Sequence, residues 1–143
     1  MKAVNPYLNF NGNCEAAFEF YKSIFGGEFA TVMRFKETPA EIMEVSAGEA
    51  EKIMHMALPI GQGTMLMGSD VPEAMGAVTP GDNFAIVISA DSEAEATKVF
   101  NKLSAGGQVT MPLDKAFWGD YFGMLTDRFG VQWMVSYDYD RQQ

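Results

Sequence analysis

The feature that most constrains the fold of this chain is an internal repeat. Residues 10–29 align with residues 90–109 at an offset of 80 positions, and the two segments share six identical residues. The identical pairs are Glu15/Glu95, Ala16/Ala96, Phe20/Phe100, Lys22/Lys102, Gly26/Gly106 and Gly27/Gly107. Self-similarity at a fixed spacing is typical of a duplicated structural unit. We therefore predict a single domain of two related modules, about 1–70 and 82–140, joined by a linker of about 71–81.

Each repeat contains an amphipathic helix, because apolar residues recur at positions i, i+3, i+4 and i+7. The predicted apolar faces are Ala17, Phe20, Tyr21 and Ile24 in the first module and Ala96, Val99, Phe100 and Leu103 in the second. Asn13 and Ser92 are the expected N-caps, and Ser92 is followed three residues later by Glu95, as in a capping box. A Gly-Gly pair follows each helix and is expected to end it, because glycine readily takes the left-handed conformation.

One segment before each helix and three after it have the residue pattern of β-strands. The predicted strands are Val4–Phe10, Glu28–Phe35, Ile53–Pro59 and Thr64–Ser69 in the first module and Asn83–Ala90, Gln108–Leu113, Tyr121–Thr126 and Val131–Tyr137 in the second. The largely polar stretch Lys36–Lys52 is predicted to be a long loop. The order βαβββ therefore occurs twice, which predicts an α+β fold.

Composition excludes several kinds of partner. The formal net charge is −9 and the pI is about 4.4, so nucleic acid and anionic membranes would be repelled. The single cysteine cannot form an internal disulfide, and we recognise neither a signal peptide nor a membrane-spanning segment. We therefore expect a cytoplasmic protein.

Three segments resemble the PhnB-like branch of the glyoxalase, bleomycin-resistance and extradiol-dioxygenase superfamily, also called the vicinal oxygen chelate superfamily. They are Leu8–Tyr21, Phe25–Gly27 and Thr126–Trp133. The resemblance implies that each module curls its mixed sheet into a half-open cup around a ligand, and that the chain forms a homodimer.

The resemblance also implies where a catalytic metal would be held. Catalytic members bind a divalent ion with side chains from the first and last strands of each module. The matching positions are Asn5 and Ala85 in the first strands, and Met67 or Gly68 together with Met134 in the last strands. These residues are poor ligands for a hard or borderline divalent ion, since thioethers prefer soft ions such as Cu(I). We expect a metal-free protein, with flexible methionines lining the cup or, alternatively, a two-methionine copper site.

Other candidate residues have both a structural and a functional interpretation. His55, the only histidine, is either a structural residue or a catalytic general base. Strand alternation places it on one face with Ile53 and Ala57. Cys14 is either a small buried residue or a thiol activated by the helix start.

The segment from Trp118 to Tyr121 is a candidate ligand-binding rim. It combines a large aromatic ring, a turn and the Asp120 carboxylate just before a strand. Tyr121, Met67, Met134 and Asn5 complete the predicted ligand-binding set. Asp70 and Asp127 are expected to be solvated acids at turns.

The sequence does not support a nucleotide-type cofactor. The cluster Gly61-Gln62-Gly63 lacks a third glycine and leads into a strand instead of a helix, so no cofactor is expected. The leading hypothesis is a metal-free module that binds a small organic molecule of unknown identity. The alternative is a lyase, isomerase or dioxygenase that uses unrecognised metal ligands, or His55, Asp120 or Tyr121 as acid and base. A structural or regulatory partner protein is a third possibility.

Overall fold

The computed structural model describes residues 1–39, 41–42 and 46–139. The chain divides into two compact units, Met1–Thr79 and Pro80–Gln143, at a point inside the predicted linker of about 71–81. Each unit has the order βαβββ, so the predicted duplication and the α+β class are confirmed. Among the described residues, no helix combines the length and the hydrophobicity needed to cross a membrane.

Both units contain a four-stranded mixed sheet with the same topology. Unit 1 consists of β1 (Tyr7–Phe10), α1 (Cys14–Phe25), β2 (Thr31–Arg34), β3 (Ile53–Ile60) and β4 (Thr64–Asp70), with the sheet order β1-β4-β3-β2. Unit 2 consists of β5 (Ile86–Ser89), α2 (Glu93–Ser104), β6 (Gln108–Lys115), β7 (Asp120–Thr126) and β8 (Gln132–Asp138), with the order β5-β8-β7-β6. The strand that precedes the helix pairs in parallel with the last strand of its unit, β1 with β4 and β5 with β8. All other neighbouring strands are antiparallel.

The helix of each unit covers one face of its sheet. In α2 the predicted apolar face is confirmed, because all four of its residues are buried. In α1 the prediction is partly wrong: Cys14, Ala17, Phe18 and Tyr21 are buried, whereas Phe20 and Ile24 are only half-buried. The ring of Phe18 packs onto Gly68, where an added Cβ would lie 2.7 Å from the Phe18 ring. A glycine in β4 therefore lets Phe18 enter the core.

Asp70 does not lie in solvent as predicted, because it is a buried acceptor at the end of β4. Its Oδ1 accepts hydrogen bonds from the backbone N–H groups of Gly12 and Cys14, and its Oδ2 accepts one from Ile53, all at 2.9 Å. Asn13, the predicted cap of α1, makes no side-chain capping bond. Asp70, at the end of β4, caps α1 instead, because it accepts from the N–H group of the first helical residue, Cys14.

Asp127 is also buried, contrary to the prediction. Its Oδ1 accepts from the N–H groups of Phe129 and Val131, and its Oδ2 accepts from the indole N–H of Trp133. The first of these bonds forms a turn, as expected for an aspartate at this place. Trp133 has a relative exposure of 0%, so the carboxylate of Asp127 pairs an indole N–H that would otherwise be buried without a partner.

The two Gly-Gly pairs end their helices in different ways. Gly26, Gly27 and Gly106 have positive φ angles, as the sequence predicts. Gly107 does not, and it is needed for a different reason: a Cβ there would overlap the backbone of Thr126 and Asp127. The cap of α2 agrees with the prediction, because the Ser92 Oγ accepts from the Glu95 N–H at 3.0 Å.

Candidate functional site

In each sheet, the face opposite the helix carries side chains that the helix does not cover. We call these the open face of sheet 1 and the open face of sheet 2. In sheet 1, Gly68 contacts Phe18 of the helix, so the alternating residue Met67 points to the open face. Cross-strand partners share a face. The row across sheet 1 is therefore Tyr7, Met67, Ala57 and Thr31.

Tyr7 and His55 form the main polar feature of the open face of sheet 1. The Tyr7 hydroxyl lies 3.3 Å from the His55 Nδ1, and the two rings stack with centroids 5.7 Å apart and planes at 21°. Because β4 lies between β1 and β3, the Tyr7 side chain crosses β4 to reach His55. His55 is half-buried and is paired in register with Met33. The histidine therefore lies on the face that Ala57 shares, as alternation predicts.

The open face of sheet 2 is lined with methionines. Trp133 and Val135 are fully buried on the helix side, so Met134 between them points to the open face. One row consists of Val87, Met134, Met124 and Met111. The outer members remain exposed, at 54% for Val87 and 43% for Met111.

The turn between β6 and β7 brings two of the predicted rim residues together. The Trp118 Nε1 donates to the Asp120 Oδ2 at 3.0 Å, and the Trp118 ring, 51% exposed, makes an edge contact with Phe122. Tyr121 is separated from them, because its hydroxyl lies 2.9 Å from the Thr97 Oγ1 of α2. Trp118 and Asp120 therefore form a pair, whereas Tyr121 lies on the helix side.

Asp120 also lines a cavity of about 240 Å³ at one end of sheet 2. The other lining residues are Ser89, Ala90, Asp91, Ser136, Tyr137 and Asp138. Three carboxylates and no lysine or arginine line this cavity. An anionic ligand would be repelled here, whereas a neutral or cationic group would not.

The residues at the implied metal positions do not fit a divalent ion. Asn5 precedes β1, and its side-chain oxygen already accepts from the Met65 N–H at 2.9 Å. In the observed register Tyr7 lies opposite Met67, and Val87 lies opposite Met134. Within the described residues, no group of three His, Cys, Asp or Glu side chains is arranged to hold a metal.

Cys14 has the environment of a structural residue. It is completely buried, and burial raises the pKa of its thiol, as do the nearby carboxylates of Asp70 and, to a lesser extent, Glu15. A raised pKa leaves little thiolate to react at neutral pH. The structural interpretation of Cys14 is therefore the one that the geometry supports.

Sequence reasoning missed several residues on the open faces, namely Tyr7, Val87, Met111 and Met124. Alternation along β1 and β5 could have found the faces of Tyr7 and Val87. The contact between Tyr7 and His55 could not have been found, because it depends on the strand order and on the register.

Comparisons with known proteins agree with this geometry. Residues 3–135 match the family described as the Glyoxalase/Bleomycin resistance protein/Dioxygenase superfamily. The solved structure of protein PA1353 from Pseudomonas aeruginosa is 41% identical, with a TM-score of 0.84 over 94% of this chain and 96% of that chain.

Two further relatives cover almost the whole chain. A Bacillus cereus structure described as a putative 3-demethylubiquinone-9 3-methyltransferase, PhnB protein, is 26% identical, with a TM-score of 0.74 over 94% of this chain and 98% of that chain. Protein YjdN of Escherichia coli (strain K12) is 27% identical over 140 residues, which is 93% of each chain.

Proposed function

Because the chain belongs to the Glyoxalase/Bleomycin resistance protein/Dioxygenase superfamily, we propose that it is a metal-free protein that binds a small, largely apolar organic molecule on its open sheet faces. The observation that carries this proposal is the methionine row of sheet 2. Unbranched thioether side chains adapt to the shape of a ligand and make favourable contacts with aromatic rings. Helix α2 covers the other face of sheet 2, so these methionine side chains remain accessible to a ligand.

The charges near the open faces support a neutral or cationic ligand. The rows that contain Met67 and Met134 include no lysine or arginine among the described residues. The cavity beside Asp120 contributes only carboxylates as charged groups, and the whole chain carries −9. Among the described residues, these two rows and this cavity therefore offer no lysine or arginine to pair with a phosphonate or another anion.

The metal-free part of the proposal is supported by the chemistry of the donors. The implied metal positions offer one weak oxygen donor, which is already hydrogen-bonded, and two thioethers. They are occupied by Asn5, Ala85, Met67, Gly68 and Met134. Elemental analysis after dialysis of tag-free protein against mixed divalent metals would test this. About one metal per chain or per pair of chains would overturn it, and a substoichiometric content is expected. We also propose that the protein is a cytoplasmic homodimer. Light scattering after size-exclusion chromatography would test the dimer.

Binding itself can be tested with methyl-labelled methionines. We expect apolar compounds that raise the melting temperature to shift the methyl signals of Met111, Met124 and Met134. The matched variants are Met124→Glu on the open face and Met75→Glu in the short 3₁₀ helix Glu73–Met75 that follows β4 along the chain, where Met75 is 71% exposed. Met124→Glu should abolish the shifts and Met75→Glu should not. Equal effects of the two variants, or no binding in a broad library, would contradict the proposal.

A second candidate is an enzyme that uses His55 as its acid or base. The contact with Tyr7 on an open face favours this alternative, because a catalytic base needs both access and an orienting partner. The His55→Ala variant separates the two functions. If turnover is found and is lost in the variant while binding survives, the protein is an enzyme.

A further inference from the structure

We infer that Tyr7 and His55 form a hydrogen-bonding anchor that selects ligands whose planar ring carries a carbonyl or hydroxyl oxygen. This inference rests on the proposed function, since it assigns a ligand class to the open face of sheet 1. It adds a specific role for two side chains that no family relationship assigns.

The Tyr7 and His55 rings present aromatic faces to a ligand. They lie only 21° from parallel with their centroids 5.7 Å apart, so they stack with an offset in two nearly parallel planes. Tyr7 is 44% exposed, which leaves much of its ring free for contact. Met67 adjoins Tyr7 and Met33 adjoins His55 in the register. Flat aromatic rings flanked by thioethers favour a planar ring as the ligand.

The contact with Tyr7 bears on which ring nitrogen of His55 carries the hydrogen. The Tyr7 hydroxyl can donate its hydrogen to the Nδ1 of His55. That bond favours the tautomer with its hydrogen on Nε2. Nε2 has no hydrogen-bond partner among the described residues. It is therefore a donor available to an oxygen atom of a ligand.

The surroundings of this donor are mixed. Met67, Ala57 and Met33 are its apolar neighbours on the open face, and the adjoining row of β1 and β4 places Asn9 and Ser69 on the same face. A ligand without a matching oxygen leaves the Nε2 donor unpaired, so the donor discriminates between ligands. The ligand class is therefore set by one hydrogen bond and one aromatic contact.

The tautomer can be observed directly because His55 is the only histidine of the chain. Long-range proton–nitrogen correlation spectra will show one histidine spin system, and we expect Nε2 to carry the hydrogen. Tyr7→Phe keeps the aromatic stack and removes the hydroxyl. The preference for the Nε2 hydrogen should then weaken, and an unchanged tautomer would overturn the role of Tyr7 in orienting His55.

Acetophenone and ethylbenzene are matched probes, since they have similar shapes and only the former carries a carbonyl oxygen. We expect wild-type protein to bind acetophenone about 3- to 10-fold more tightly, the value of one neutral hydrogen bond. The ratio should fall to about 1 in His55→Phe and should decrease in Tyr7→Phe. Thermal unfolding of both variants verifies that they fold.

Two outcomes separate failure of the anchor from failure of the proposed function. If both probes bind equally, or if the ratio survives in His55→Phe, the anchor is overturned while binding on the open face stands. If acetophenone does not bind, the anchor is also overturned, and the proposed function is judged by the methionine methyl signals in the wider library.

Discussion

Replacing Asp70 tests whether one buried carboxylate joins three separate segments of unit 1. Its side chain is 2% exposed and accepts from the N–H groups of Gly12, Cys14 and Ile53. The last two of these bonds are buried. In Asp70→Ala all three donors lose their acceptor, although water can reach the part-buried N–H of Gly12.

The magnitude follows from the number of buried donors. A buried donor left without a partner costs about 1–3 kcal/mol, so two such donors predict a loss of about 2–6 kcal/mol in the free energy of unfolding. Asp70→Asn retains one oxygen for Gly12 and Cys14 but presents an NH₂ group to the Ile53 N–H. We therefore expect it to lose about 1–3 kcal/mol, less than the alanine variant.

Urea unfolding followed by far-ultraviolet circular dichroism measures these losses. Asp82→Ala is the matched control, because Asp82 is exposed and makes no side-chain hydrogen bond with the described residues. It should change stability by less than about 0.5 kcal/mol. If Asp70→Ala is as stable as Asp82→Ala, the three hydrogen bonds do not stabilise the fold and the reasoning is refuted.

Three further predictions follow from local contacts. Gly107→Ala should cost about 2–3 kcal/mol because a Cβ would overlap backbone, whereas Gly48→Ala, which meets nothing within 4 Å, should stay within about 0.5 kcal/mol in the same urea assay. A thiol reagent should label Cys14 about 100-fold more slowly in native protein than in urea, and equal rates would contradict its burial. The hydrogen bond from Arg34 holds the pKa of Glu15 below its usual value. The stability that this bond contributes is present above the pKa of Glu15 in the unfolded chain, and it is lost as the pH falls through the pKa of Glu15 in the folded protein. Glu15→Gln should therefore cost at most about 1 kcal/mol at pH 7 and progressively less as the pH falls, and a difference that does not shrink with falling pH would contradict this.

The parts of the fold that depend on periodicity could be predicted from the sequence. The order βαβββ and the buried face of α2 follow from spacing along the chain, because both the strand pleat and the helix turn repeat regularly. The face of α1 was predicted wrongly in part because the entry of Phe18 into the core depends on Gly68. These two residues lie on different elements, and spacing within α1 carries no information about β4.

The burial of Asp70 and Asp127 also depends on contacts between different elements, so it could not be predicted from the sequence. Asp70 bonds to residues 17, 56 and 58 positions away, so its partners come together only when the sheet forms. Asp127 bonds within six residues, and its turn was predictable. Its burial was not, because burial depends on where the Trp133 ring lies in the core.

The two modules are alike where folding constrains them and differ where it does not. Both have the same strand order and a helix over one face, and each has a buried aspartate that binds backbone N–H groups, at the end of β4 in unit 1 and after β7 in unit 2. Their open faces have different chemistry, with the Tyr7–His55 pair on sheet 1 and a methionine row on sheet 2. Exposed apolar side chains such as that of Met111 add little to stability, since their surface remains in water. These differences accord with the proposed ligand binding, in which the open face of sheet 1 would offer a hydrogen bond and that of sheet 2 an adaptable apolar contact.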